Sequence, residues 1–177
     1  MVNVSNIATE PWELDSEAIS VASREIVLHR LPRLLVVALV SAIETCFEDL
    51  VAINLAYAAP KTPEPDRLKR ASKVMRGGPQ DYLPEVEREL GVSMFQRQWE
   101  WLPELVATRN IIVHEAQPIA DDRYVRNAGT AARAKEGEAL VVDNSYLTCC
   151  YALAKAAMLY LIRIVDPSAG TGSILDT

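Results

Sequence analysis

The chain of 177 residues is half apolar and about a quarter charged, with a net charge of −6, and suits one domain with a sizeable core better than two. That acidity excludes a tight, non-specific nucleic-acid coat, which needs a basic face to release counterions, but not an enzyme that touches nucleic acid through a small local pocket. The odd cysteine count (Cys46, Cys149, Cys150) has no metal-like spacing and makes a poor disulfide framework, so a reducing cytoplasm is expected.

Residues 1–14, MVNVSNIATEPWEL, lack the basic start and apolar run of a secretory signal and read as an irregular arm. Asp15 or Ser16 can cap a helix through SEAISVASREIVLHR. Pro32 then stands where a second helix begins, since a first helical turn tolerates a residue without an N–H. This helix runs to about Tyr57. Its first half, Leu34 to Ile43, is apolar on nearly all sides, about half a membrane span long, and closed by Glu44. It is expected to be the central element of a bundle.

AAPKTPEPD reads as a loop. A short basic helix, RLKRASKVMR, stops at Gly77-Gly78, and PQDYLPEVERELG forms another that ends near Gly91. SMFQRQWEW and LPELVATRNIIVHEA make the next helical region, interrupted or begun afresh at Pro103. The polar stretch 117–138 reads as an extended loop, followed by a brief extended piece, ALVV. Asp143 or Ser145 caps the last helix, YLTCCYALAKAAMLYLIRIV, and 167–177 is a flexible tail. The expected fold is all-α, a bundle of about five helices with a long central one, in a single domain over 15–166.

On a wheel of about 100° per residue, Leu105, Val106, Ile112 and Val113 lie within roughly 80° of Leu102. Arg109 falls in the middle of that arc. Asn110 is on its shoulder, with His114 one turn above, and Arg109 and His114 are about 140° apart. An unpaired buried guanidinium is costly, so Arg109 should meet a carboxylate or point into a cleft. Glu44 is the best partner and Glu48 the alternative. From periodicity alone, a structural ion pair with a polar edge histidine accounts for the pattern.

TRNIIVHE in this setting resembles the HEPN domain superfamily, whose signature is an Arg, four to six residues, then a His, with a polar residue often following the Arg. Here these are Arg109, Asn110 and His114. AIETCFEDLVA looks like the long second helix of the group, with its acidic residue at Glu44, and the likeness runs from about residue 16 to 165. It implies a metal-independent endoribonuclease without cofactor. It also implies a homodimer in which two motif helices meet across a two-fold axis, in a toxin, phage-defence or RNA-processing role. RNA would be the substrate, an antitoxin or sensor protein a further partner, and a membrane none. Arg109 would bind phosphate, His114 move protons, Asn110 orient the histidine or bond an oxygen, and Glu44 hold Arg109. A non-catalytic HEPN-like module binding protein or nucleotide is the other reading, favoured by the acidity.

His29 is expected to border the end of the first helix, where positive charge is favourable. Trp99 and Trp101 could stack bases, but core or dimer contacts explain them better. The cluster Arg67, Lys69, Arg70, Lys73 and Arg76 could steer RNA, but a solvated helix face is the stronger reading. Cys149 and Cys150 read as core packing, and GTGS as a flexible tail without phosphate-loop spacing.

Overall fold

The computed structural model describes residues 16–92, 99–115 and 117–165. The expected arm 1–14, the helix through SMFQRQ and the tail 167–177 lie outside the described residues. Among those described, the fold is all-α, a helical bundle with no strand.

Helix α1 (Ser16–Glu25), a π-helical turn (Ile26–Arg30) and α2 (Leu31–Ala58) follow one another without a break. The first helix therefore does not end at His29 and Arg30, contrary to expectation. Pro32 has no N–H for the carbonyl four residues back, and its ring crowds the preceding turn. Widening that turn relieves both problems, as the Leu31 N–H donating to the Ile26 carbonyl records. The helix passes the proline instead of stopping.

α2 is central, packing against α3 (Glu64–Val74), α4 (Pro79–Leu90), α5 (Leu102–His114) and α7 (Asn144–Val165). Only one face is buried, through Val36, Val40, Ile43, Phe47, Leu50 and Leu55. The helix takes the central place expected of it, but Leu31, Leu34 and Leu35 of its apolar first half are exposed. α3 begins inside the expected AAPKTPEPD loop, at Glu64, because Pro65 fits a first turn. Gly91, at φ +66°, ends α4 as its composition suggests.

The stretch 117–138 is not an extended loop. It holds α6 (Asp122–Ala128) and a 3-10 turn (Gly129–Ala131). The Asp121 carboxylate accepts from the Tyr124 N–H at 2.6 Å, a cap that satisfies a first-turn donor. Tyr124 and Ala128 are buried against Ala107 and Ile111 of α5, in a small second core. Of the expected extended piece at ALVV, an isolated bridge between Ile119 and Ala139 is formed. Asp143 caps α7, accepting from the Tyr146 N–H at 2.8 Å.

Candidate functional site

α5 is not the one-faced amphipathic helix that the wheel suggested. Its first two turns are buried nearly all round, including the polar Glu104 and Thr108. Its last turn emerges from the bundle. Val113, expected in the packed stripe, is 54 % exposed, and His114 is exposed. The motif residues therefore sit where a core helix becomes a surface.

Arg109 finds Glu44. Its Nη2 donates to both carboxylate oxygens, at 3.0 and 3.2 Å, and the two side chains keep 26 % and 32 % of their exposure. Burial raises the Glu44 carboxyl above its ordinary range, and Arg109 offsets this only in part. Arg109 Nε is buried without a hydrogen-bond partner, as is the Tyr82 hydroxyl. Burial raises the Tyr82 pKa, and the nearby Glu44 charge raises it further. Both unpartnered atoms are closed off from solvent, so the side of the guanidinium that stays accessible is its terminal nitrogens.

Asn110 and His114 are brought together elsewhere on the helix end. They line a cleft of about 90 Å³ against α6, with Glu115, Asp121, Arg123 and Asn127 among its walls. Arg109 is not part of that cleft. The four sequence candidates therefore form two pairs, Arg109 with Glu44 and Asn110 with His114, on two flanks of α5 about 140° apart. Arg123 and Asn127 were not foreseen as site residues. The Asp121 cap before them was the signal available in the sequence.

The polar cluster that sequence reasoning missed centres on Glu104. Its Oε1 accepts from Thr108 Oγ1 at 2.6 Å, the Tyr124 hydroxyl at 2.9 Å and Arg133 Nε at 2.9 Å. Its Oε2 accepts from the Tyr146 hydroxyl at 2.9 Å. Arg133 also lies 3.6 Å above the Tyr146 ring and donates to the Val141 carbonyl. A buried carboxylate with four donors is fully satisfied. It ties α5 to α6, to the following loop and to α7, so it holds in place the wall of the His114 cleft.

The remaining candidates take the plainer roles. Trp99 is buried against Phe47 and stacks on Trp101. Lys69, Lys73 and Arg76 are exposed, and Arg70 pairs with Glu89 at 2.8 Å. His29 is exposed and lies 3.8 Å from Glu25. Cys150 is buried while Cys149 is exposed, so only one of the adjacent pair packs in the core. Among the described residues, no three His, Cys, Asp or Glu side chains are grouped to hold a metal ion.

No family model matches the chain, and no curated protein or solved structure matches it either. The functional reading therefore rests on the geometry and on the motif.

Proposed function

We propose that the protein is a metal-independent endoribonuclease of HEPN type that acts as a homodimer with a composite Arg/His site. The observation that carries this reading is the Arg109–Glu44 pair. The carboxylate occupies one terminal nitrogen of the guanidinium, at the point where α5 reaches the surface. An arginine held in this way can offer its other terminal nitrogen to a phosphate.

His114 is exposed on the same helix end, beside Asn110. An imidazole can accept the proton of a ribose 2′-hydroxyl or donate one to the leaving 5′-oxygen. Attack by the 2′-oxygen forms a 2′,3′-cyclic phosphate and breaks the bond to the 5′-oxygen, which leaves with a proton. Arg109 supports the crowded phosphate charge, and Glu44 keeps Arg109 in place. Because the two pairs stand on different flanks of α5, the reading requires RNA to span both or a second protomer to complete the set.

The test is incubation of purified protein with RNA in excess chelator, with product ends analysed for cyclic phosphate. Arg109→Ala and His114→Ala should each abolish cleavage while far-ultraviolet circular dichroism stays unchanged. Full cleavage by either folded variant removes that residue from the mechanism. No cleavage of total RNA by the native chain favours a non-catalytic binding module.

A further inference from the structure

One row of α2 is left uncovered by the described residues. With Leu31 as zero, Leu34, Leu35, Ala38, Ala42 and Thr45 lie within about 60° of it, and all six residues are exposed. The buried Val36, Val40, Ile43 and Phe47 lie across the helix, at about 120–180°. The row borders an apolar groove of about 460 Å³ between α2 and α7, where Leu35 and Leu39 face Leu147 and Tyr151. A continuous apolar strip of this kind marks an interaction surface.

The strip is self-complementary. Arg30 and Glu48 stand on one flank of it, each about 100° from Leu31. Neither makes an ion pair among the described residues. Both are nine residues from Leu39, one on each side. Two α2 helices laid antiparallel about a two-fold axis at that level set Arg30 beside Glu48 of the partner subunit, twice over. The same register places Leu35 on the partner's Ala42 and Leu34 on the partner's Thr45, large against small. Ala38 sits at the axis, where the backbones come closest. An isologous contact demands such self-complementarity.

We infer that this α2 face binds a second copy of the chain, in an antiparallel α2–α2 contact closed by two Arg30–Glu48 ion pairs. A lipid occupant fits less well. The stretch Ser23–Ala58 is long and apolar enough to cross a membrane by length and composition. A span of about 20 residues there would still immerse charged side chains, Arg30 and Arg33 towards one end or Glu44, Glu48 and Asp49 towards the other, each at a cost of kcal/mol.

The dimer surface follows from α2 alone and does not rest on the ribonuclease reading, but it bears on that site. Glu44 lies on the same flank as Arg30 and Glu48, about 140° from Leu31. In the dimer its two copies, each holding an Arg109, face one side of the α2 pair. Their Cα atoms are then roughly 20 Å apart.

Sedimentation velocity on the full chain at micromolar concentration is the test. Arg30→Glu and Glu48→Arg should each weaken self-association about tenfold or more, because each puts like charges together twice. The double variant should recover most of that loss, since every contact is then reversed. Leu34→Asp, at a position already 66 % exposed, should give a folded monomer. The inference is overturned if the native chain is monomeric throughout, if the double variant associates no better than the singles, or if Leu34→Asp remains dimeric. A monomer that floats with phosphatidylcholine vesicles overturns it in favour of a membrane. Cleavage is scored separately: a dimer without RNA cleavage leaves this surface standing and removes the ribonuclease reading alone.

Discussion

Arg109 on α5 and Glu44 on α2 are joined across 65 residues of sequence by two hydrogen bonds from a single nitrogen. The pair is only half-buried, and for Glu44 desolvation outweighs the neighbouring charge. Its carboxyl is therefore raised above its ordinary 4.5. At pH values just above that, the folded chain keeps a proton that the unfolded chain gives up. The Glu44 contribution is full below this window, and stability falls as pH rises through it. Glu44→Gln should flatten that step in urea denaturation followed between about pH 4 and pH 7. An unchanged pH profile would show that Glu44 titrates normally.

The Glu104 cluster should dominate stability in the half of the molecule that carries the His114 cleft. Glu104→Ala strands Arg133 and two tyrosine hydroxyls and should cost about 3–5 kcal/mol. Glu104→Gln keeps a carbonyl acceptor but loses the charge and should cost about 1–3 kcal/mol. Denaturation midpoints measure both. Hydrogen exchange over 118–143 should quicken in the alanine variant, since that stretch is tied down by the lost bonds.

Tyr82 makes an opposite prediction. Its hydroxyl is buried without a partner, so removing it sheds a desolvated polar group at no loss of a hydrogen bond. Tyr82→Phe should be neutral or stabilising by up to about 1 kcal/mol. A loss of more than about 1 kcal/mol in thermal or urea denaturation would reveal a bond to an ordered water.

The cysteines should differ in reactivity despite their adjacency. Burial pushes the Cys150 thiol up from 9.0 to about 11, which is roughly a hundredfold less thiolate at mildly alkaline pH. Burial also raises Cys46, whereas Cys149 is exposed. Iodoacetamide labelling followed by peptide mass spectrometry should modify Cys149 first. Equal labelling of Cys149 and Cys150 in the folded protein would contradict the placement of Cys150 in the core.

The Arg109–Glu44 pair was legible because Arg109 stands among apolar residues and Glu44 closes the apolar run of α2. A charge in such a setting calls for a partner of opposite sign. Glu104 was not legible, because an acid in the first turn of a helix already has an ordinary explanation in the helix dipole. Its partners Tyr124, Arg133 and Tyr146 come from 20 to 42 residues further on. α6 was hidden for a related reason: with Tyr124 and Ala128 as its buried residues, it has too few apolar positions to show a period. Val113 counted as a core position on the wheel, but a wheel carries no record of where a helix leaves the bundle.

The π-helical turn at Ile26–Arg30 has the character of a one-residue insertion absorbed without breaking the rod. Such a turn holds the rows of side chains before and after it out of step by one residue. Deleting one residue between Ile26 and Arg30 should therefore restore regular α-helix there and leave the rows on either side close to their present bearing. The rod can lose a residue in this turn, and nowhere else along its length, without swinging α1 about α2.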